Sequence, residues 1–324
     1  MKSRRLRFEN FDHMPAFITH GFDIISDPNQ PNSVYIFVIN HLPNPEWTVE
    51  SPELPKARSQ LEVFHHELGS ESAKHIRSIW HPLIRTPNDV FVVSLTSIFV
   101  SNDHYHREGI KRILEDIYFD SKITDVIHLG IDAETLEPTG DVMADSAAGV
   151  EGTIAVPNIH NSNGLGHGRS EKEILVASCA SAILNIGEIS ANGNITLVDE
   201  IRSETVIDNP SYFSDPFGGG PGGFVLPGIA RPVELAKTAR DPSYSPPKDS
   251  VMVWYATPVT GENGIKKWEQ RLIFADDGSN LRSLSSAILV PIDPTQQEEK
   301  GKQQAWLFAT GFVSRNMIAV KIDL

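Results

Sequence analysis

Residues 87–104 read PNDVFVVSLTSIFVSNDH, and this stretch decides the class of fold. It contains two short runs, 89–94 and 96–100, that are rich in Val, Ile and Phe. Runs of about four to eight such residues, bounded by turn-forming Pro, Asn, Asp and Ser, are typical of β-strands. We therefore interpret the stretch as a hairpin, with a tight polar turn between its two strands.

The same pattern recurs along the rest of the chain. Many short β-rich runs with few helices between them favour a large all-β architecture, either a β-propeller or a pair of sandwiches. No strict sequence repeat is visible, and we predict a single domain over residues 1–324. The further runs are 34–40, 61–65, 123–129, 153–156, 173–177, 183–186, 196–201, 251–256, 271–274, 287–292, 305–310 and 317–322.

One segment, residues 108–118, has the periodicity of a helix rather than a strand. Its apolar residues recur at spacings of three and four, which forms a stripe along one side of an α-helix. We predict that this short helix packs on the strands as a lid. The stripe consists of Ile110, Ile113, Leu114 and Ile117.

Composition and charge narrow the range of functions. The 324 residues include 28 Lys and Arg against 42 Asp and Glu, which gives a net charge of −14. A field of that sign repels polyanions, so we expect no nucleic-acid partner and no binding to anionic membranes. The lone Cys179 excludes an intrachain disulfide and a cysteine-rich zinc module. No run is apolar enough to span a membrane, and the start, MKSRRLRFENFDHMP, lacks the apolar core of a secretory signal, so we expect a cytoplasmic protein.

Familiar catalytic signatures such as G-x-S-x-G, Walker A and H-E-x-x-H do not occur. The remaining candidates are amide and carboxylate residues at the ends of the predicted strands. Scattered hard oxygen ligands are what Ca²⁺ prefers, but Asn and Asp also close turns throughout proteins, so both interpretations stay open. These candidates are Asn88-Asp89, Asn102-Asp103, Asn163-Gly164 and Asp208-Asn209.

In their joint order, several short motifs resemble the serum paraoxonase/arylesterase family. The resemblance runs from about Phe17 to the C-terminus and is strongest over 87–105. The predicted helix also falls where that family places one, directly after its N-D-H-Y motif. The motifs are His20-Gly21, Val38-Ile39-Asn40-His41, Pro87-Asn88-Asp89-Val90, Ser101-Asn102-Asp103-His104-Tyr105, Ser162-Asn163-Gly164-Leu165 and Ile207-Asp208-Asn209.

The resemblance implies a six-bladed β-propeller that holds two Ca²⁺ ions and hydrolyses lactones or aryl esters. A catalytic Ca²⁺ would be bound by Asn88, Asn163, Asp208 and Asn209. A structural Ca²⁺ would be bound by Asp89 and the backbone carbonyl of Phe22. His20 and His41 match the family's pair that is proposed to activate the attacking water, and His104 would lie nearby.

The chain also departs from the family's pattern. The family supplies further Ca²⁺ ligands from a Glu-Asp pair well upstream of its first histidine, whereas only 19 residues precede His20 here. Asp208 is then the single charged ligand of the catalytic ion, so weak Ca²⁺ binding is expected. The propeller could have five blades and an incomplete first or last one, and the protein would be secreted if its start has been lost. The alternative is a non-catalytic scaffold or a non-hydrolytic tailoring enzyme on the same fold. The natural substrate and the oligomeric state stay open.

Overall fold

The computed structural model describes residues 4–12, 14–118, 121–136, 146–217, 222–241, 249–260, 266–296 and 303–324. The chain divides into two compact units. The first contains Met1–Ser162 with Ser190–Ile195, and the second contains Asn163–Ile189 with Thr196–Leu324. Whether they form the single domain predicted from the sequence stays a prediction.

Two sheets make up the first unit. In the first sheet the strands lie in the order β1-β5-β4-β3-β2, with β1 parallel to β5 and the other pairs antiparallel. The second sheet has the order β6-β7-β8-β9 and is antiparallel throughout. The strands are β1 (Arg7–Glu9), β2 (Thr19–Ser26), β3 (Ser33–Pro43), β4 (Ala57–Glu67), β5 (Ser72–Ile79), β6 (Pro87–Ser94), β7 (Ser97–Asn102), β8 (Thr124–Ile131) and β9 (Val150–Ile159).

Three sheets belong to the second unit. They have the orders β10-β11-β12-β13, β14-β16-β17-β18 with β15 also paired to β16, and β19-β20-β21. The strands are β10 (Ser162–His167), β11 (Glu173–Ser178), β12 (Ile183–Ile189), β13 (Ile195–Arg202), β14 (Val206–Ile207), β15 (Ser211–Phe213), β16 (Gly223–Ile229), β17 (Val251–Thr260), β18 (Lys266–Asp276), β19 (Leu284–Pro291), β20 (Gln304–Gly311) and β21 (Ile318–Asp323).

The all-β prediction is confirmed, and consecutive strands pair as antiparallel meanders of the kind that form propeller blades. The number of blades is wrong: the described residues form five such sheets, not six. Two features distinguish these five sheets from the predicted six blades. The first strand, β1, joins the first sheet instead of starting another sheet, and the last sheet has three strands rather than four.

Each unit buries its own apolar residues. In the central strands Val, Ile, Leu and Phe either alternate with polar residues or form continuous apolar runs. These residues therefore fill the space on one or both faces of their sheets. In the first unit Leu61, Ile98 and Ile127 are fully buried. In the second unit Val225, Val253 and Leu307 are fully buried.

Helix α1 (Ile110–Ile117) lies where the sequence predicts it, but it does not pack as the predicted lid. Its apolar residues Ile110, Ile113 and Leu114 are 76%, 57% and 56% exposed. Among the side chains of residues 110–115, the buried one is Glu115, whose carboxylate accepts hydrogen bonds from the backbone N–H groups of Tyr105 and His106. The helix is therefore attached to the preceding loop through a carboxylate rather than through its apolar stripe.

A second helix, α2 (Pro232–Arg240), is not predicted from the sequence. It begins with Pro at its first position, which suits a helix start because Pro lacks the N–H that would be unpaired there. No helix in the part of the chain that the structure describes is long and apolar enough to cross a membrane.

Candidate functional site

The two histidines singled out in the sequence are in contact. His20 lies on β2 and His41 on β3, and their atoms Nδ1 and Nε2 are 3.2 Å apart. The strand pairing slips between Thr19 and Phe22, so His20 and Gly21 lie opposite the single residue Ile39. Such a β-bulge changes the direction of a side chain at the point where the extra residue is inserted. The bulge therefore explains why the rings of His20 and His41, on neighbouring strands, are in contact.

His41 is held from the other side by Ser59. Strands β3 and β4 place the two residues directly opposite each other, and Ser59 Oγ is 2.8 Å from His41 Nδ1. Because Nδ1 is engaged by the serine, Nε2 is the nitrogen that faces His20. Ser59 is buried, so water does not compete for this hydrogen bond.

The backbone before His20 is fixed by a buried polar network. Asn40 accepts a hydrogen bond from the Ile18 N–H at 2.9 Å and donates to the Ala16 carbonyl at 3.1 Å. It also donates to Glu62 at 3.0 Å, and the fully buried Glu62 carboxylate is 3.0 Å from His75 Nε2. A buried carboxylate with this many partners holds its neighbours in one arrangement. Asn40 thus ties the segment that carries His20 to the strand that carries His41.

Electrostatics keep the histidine pair neutral. Loss of hydration lowers the pKa of His20, and the backbone of Pro87 partly opposes this effect. Loss of hydration lowers the pKa of His41 to about 4, and the charges of His20 and Arg107 act in the same direction. Neutral imidazole can accept a proton, so both rings are available as bases near neutral pH.

We expect the His41 ring to titrate with a midpoint of about 4 in the folded protein. In the unfolded chain histidine titrates near 6.5, so that chain binds more protons between the two values, and the free energy of unfolding falls as the pH falls from about 6.5 to about 4. NMR of the histidine ring protons over pH 3–8 measures the midpoint, and His41→Gln assigns the resonance. A His41 midpoint near 6.5 would contradict the desolvated environment.

Asn88, Asp89 and the His20–Phe22 segment come together within the first unit. Asn88 Nδ2 is 3.5 Å from His20 Nε2. A Cβ atom placed on Gly21 would lie 2.2 Å from Asp89 Oδ1, so only glycine permits this approach of β2 to β6. Phe22, whose carbonyl is a predicted ligand, is the next residue on β2. The predicted structural Ca²⁺ ligands are therefore close neighbours, and their binding of the ion stays a prediction.

Asn163, Asp208 and Asn209 come together within the second unit. A Cβ atom on Gly164 would lie 2.4 Å from Asn209 Oδ1 and 2.6 Å from the Asp208 carbonyl oxygen. Asn209 also pairs with Ser286, to which its Nδ2 donates a hydrogen bond at 3.2 Å. Asn88, the fourth predicted ligand of the same ion, belongs to the first unit.

These three residues fit a hard cation. The side-chain oxygen of Asn163 is buried and has no hydrogen-bond partner among the described residues. A buried polar atom without a partner is costly, and a cation bound by oxygen ligands would satisfy it. Within the described ranges no group of three or more His, Cys, Asp and Glu residues is placed to hold a metal.

His104 occupies a different polar cluster of the first unit. Its ring is buried, with Nδ1 3.6 Å from Glu115 Oε2 and Nε2 3.5 Å from Asp103 Oδ2. Burial lowers the pKa of His104 to about 3, and the charges of Arg112 and His160 add to the effect. A direct catalytic role for His104 stays a prediction.

Several residues of the site were missed from the sequence. Ser59, Glu62 and Ser286 contact site residues only because strand pairing brings them there, and no local motif marks them. Glu115 belongs to the predicted helix, but its carboxylate was not recognised as the anchor of the N-D-H-Y loop. Asn40 belongs to the Val38-Ile39-Asn40-His41 motif, but the motif does not indicate the buried hydrogen bonds that its side chain makes.

Comparison with known proteins gives one family. The family model described as Arylesterase matches residues 2–220, which is more than half of the chain. Serum paraoxonase/arylesterase 2 of Homo sapiens is 23% identical over 218 residues, covering 67% of this chain and 51% of the relative. Serum paraoxonase/lactonase 3 of Oryctolagus cuniculus is 22% identical over 210 residues, covering 65% and 50%. The chain thus spans about half the length of the curated relatives it matches.

A solved structure to which the chain is similar shares less sequence identity with it than the curated relatives do. The calcium-binding protein regucalcin of Agrobacterium tumefaciens aligns with a TM-score of 0.38 and 7% identity, covering 99% of this chain and 97% of that chain.

Proposed function

Because the chain belongs to the arylesterase family, we propose that it is a Ca²⁺-dependent hydrolase of aryl esters or lactones. The observation that carries the proposal is the contact of 3.2 Å between His20 and His41, with Asn88 beside the same His20 ring. The similarity to serum paraoxonase/arylesterase 2 and to serum paraoxonase/lactonase 3 supports the substrate class.

His20 acts as the general base in this proposal. With its Nδ1–H donated to His41 Nε2, the Nε2 atom of His20 has a lone pair that can take a proton from the attacking water. His41 in turn donates its Nδ1–H to Ser59, which fixes the tautomer of the pair. Loss of hydration lowers the pKa of His20, and the hydrogen bond with the Pro87 backbone opposes part of this effect, so it stabilises the ring after it has taken the proton.

Asn163, Asp208 and Asn209 would hold the Ca²⁺ ion, with Asn88 as the further predicted ligand. When bound, the ion supplies a Lewis acid that polarises the substrate carbonyl. Ser286 orients the Asn209 amide by accepting a hydrogen bond from Nδ2, which leaves Oδ1 of Asn209 facing Gly164. Only Asp208 carries a formal charge, so these residues would bind a divalent cation weakly.

Hydrolysis of phenyl acetate and of dihydrocoumarin, a lactone, tests the function. We expect turnover above the buffer rate in millimolar CaCl₂, loss of turnover in excess EGTA, and recovery when CaCl₂ is restored. EGTA that has been saturated with Ca²⁺ beforehand is the control, because it should leave the rate unchanged. The absence of hydrolysis in saturating Ca²⁺ would contradict the proposal and favour the non-catalytic scaffold.

A further inference from the structure

Asn40 is a buried residue next to the histidine pair with no part in the chemistry described above. It immediately precedes His41 on β3, and its side chain is fully buried. Because side chains alternate along a strand, Asn40 lies on the face of the first sheet opposite to His41. Any effect of Asn40 on the histidine rings therefore passes through the backbone.

The side-chain amide of Asn40 holds the backbone just before His20. Its Oδ1 accepts a hydrogen bond from the Ile18 N–H at 2.9 Å, and its Nδ2 donates to the Ala16 carbonyl at 3.1 Å. The Ile18 carbonyl in turn accepts a hydrogen bond from the backbone N–H of His41 at 2.9 Å. Both backbone polar groups of Ile18, two residues before His20, are therefore bound to Asn40 and His41.

Glu62 fixes the orientation of the Asn40 amide. Its Oε1 accepts a hydrogen bond from Asn40 Nδ2 at 3.0 Å. If the amide were reversed, its oxygen would face the Glu62 carboxylate and the Ala16 carbonyl, and its NH₂ group would face the Ile18 N–H. Acceptors placed against acceptors leave buried polar atoms without partners, which is costly. The Asn40 amide therefore has one favourable orientation.

The Glu62 carboxylate is itself held at both oxygens. Its Oε1 also accepts a hydrogen bond from Gln60 Nε2 at 2.9 Å, and its Oε2 accepts one from Ser78 Oγ at 2.6 Å. His75 Nε2 lies 3.0 Å from the same Oε2. All these side chains are buried, so water does not compete for their hydrogen bonds. The network therefore gives Asn40 a rigid support.

The bulge at His20 depends on the hydrogen bonds of Asn40. Strand β2 begins at Thr19, which pairs with Asn40, and the regular pairing resumes only at Phe22. A single residue pair therefore holds the N-terminal side of the bulge in the sheet. The Asn40 side chain continues this hold over the segment before Thr19, and so keeps His20 Nδ1 at 3.2 Å from His41 Nε2.

We propose that Asn40, oriented by Glu62, is a positioning residue that keeps His20 within reach of His41. This inference rests on the proposed hydrolase function, because it gives Asn40 a role in the chemistry of that same pair. The competing role is stability alone, in which the network only holds the first sheet together. The two roles differ because positioning changes the kcat of the folded enzyme, whereas stability alone changes only its melting temperature.

Two substitutions at one exposed position test the proposal. Ile18→Pro removes the N–H that Asn40 accepts, Ile18→Ala keeps it, and both lose the same side chain, which is 55% exposed. Strand β2 is an edge strand, where Pro at the strand start is tolerated. We expect Ile18→Pro to lower kcat for phenyl acetate by about 10- to 100-fold with KM within about 3-fold, because a small displacement of a catalytic group is costly. Ile18→Ala should keep the wild-type values. Each variant is assayed well below its melting temperature.

A second matched pair of variants acts at Glu62. Glu62→Leu removes the acceptor that orients Asn40 and should lower kcat with little change in KM. Glu62→Gln keeps that acceptor, and its NH₂ group can donate to Ser78 Oγ and to a neutral His75 ring, since both can also accept. We expect Glu62→Gln to keep kcat within about 3-fold of the wild type, because the hydrogen bond to Asn40 remains.

NMR measures the ring contact without any substrate. The centres of the His20 and His41 rings are 5.4 Å apart, so their ring protons should give a nuclear Overhauser effect in the wild type. We expect this signal to be lost in Ile18→Pro and Glu62→Leu and kept in Ile18→Ala and Glu62→Gln. If the wild type hydrolyses no ester, the hydrolase function fails, and this pattern alone supports or overturns the role of Asn40 in holding the rings together.

Three results would overturn the proposal. A folded Ile18→Pro variant with the wild-type kcat and ring contact would leave the network a role in stability alone. Equal losses in Ile18→Pro and Ile18→Ala would assign the effect to the lost side chain rather than to the hydrogen bond. A rise in KM with unchanged kcat would connect the network to substrate binding instead of to the position of the base.

Discussion

We expect the replacement of His20 by Gln to lower kcat for phenyl acetate by about 10²–10⁴-fold and to leave Ca²⁺ binding unchanged. The amide has a similar size and can still accept a hydrogen bond, but it cannot take a proton from water. The contact between His20 Nδ1 and His41 Nε2 at 3.2 Å is the feature on which the proposed role of His20 as the base rests. An assay of phenol release measures the rate of hydrolysis, and calorimetric titration with CaCl₂ measures Ca²⁺ binding.

A control separates this effect from a general loss of structure. His167→Gln makes the same chemical change at an exposed position and should keep the wild-type rate. Thermal denaturation of both variants shows whether they fold. If His20→Gln raised KM while kcat stayed unchanged, His20 would only shape the pocket, and the role of general base would have to be withdrawn.

The strands that the sequence predicts are the ones with strong β-formers. All fourteen runs rich in Val, Ile and Phe coincide with strands of the structure, because burial on a sheet face and local propensity act in the same direction there. The strands it misses are β1, β2, β5, β10, β14, β15 and β16. Strand β2 reads THGFDIIS and β10 reads SNGLGH, and glycine and asparagine are depleted in strands.

Two of the missed strands, β2 and β10, carry residues of the candidate site. Gly21 on β2 lies against Asp89, and Gly164 on β10 lies against Asn209, at distances that exclude a Cβ atom. Glycine is needed at both places for close approach, and the same glycine weakens the strand signal. At Gly21 and Gly164 the residue that permits the close approach is therefore also the residue that weakens the strand pattern in the sequence.

The partners of the site residues are set by register rather than by motif. Ser59 is 18 residues from His41 and faces it because β3 and β4 pair residue for residue. Glu62 and Ser78 meet through the pairing of β4 with β5, and Glu115 reaches the N-D-H-Y loop through a helix whose apolar stripe suggested a different role. Hydrophobic periodicity identifies which face is buried, but it does not specify which polar groups share that face.

The blade count depends on pairing in the same way. The short runs are equally compatible with five or six sheets until their partners are known. β1 has only three residues and joins the first sheet in parallel with β5, which no local pattern predicts. Pairing between segments distant along the chain is a property of the folded structure.

We expect the replacement of Asp208 by Asn to abolish the predicted Ca²⁺-dependent rise in melting temperature and to lower kcat by about 10²–10³-fold. Among the predicted ligands Asn88, Asn163, Asp208 and Asn209, Asp208 is the charged residue, and its replacement leaves only neutral oxygens in that set to bind a divalent cation. A ligand that binds only the folded state stabilises it by RT ln(1 + [L]/Kd), about 2.7 kcal/mol at a concentration of 100 Kd. Thermal denaturation with and without millimolar CaCl₂ measures this difference. The isosteric Asn keeps the shape of the site, so the loss reports the charge.

The comparison of Asp208→Asn with His20→Gln separates the metal from the base. Asp208→Asn should lose both the thermal shift and the activity, whereas His20→Gln should lose the activity alone, because its ring is not a ligand of the ion. Asp277→Asn removes a carboxylate at an exposed turn of the same unit and should keep both properties. If Asp208→Asn kept the full thermal shift, Ca²⁺ would bind elsewhere on the protein. The buried oxygen of Asn163 would then need a different partner, and the hydrolase would have to stabilise its oxyanion without the ligands assigned to it.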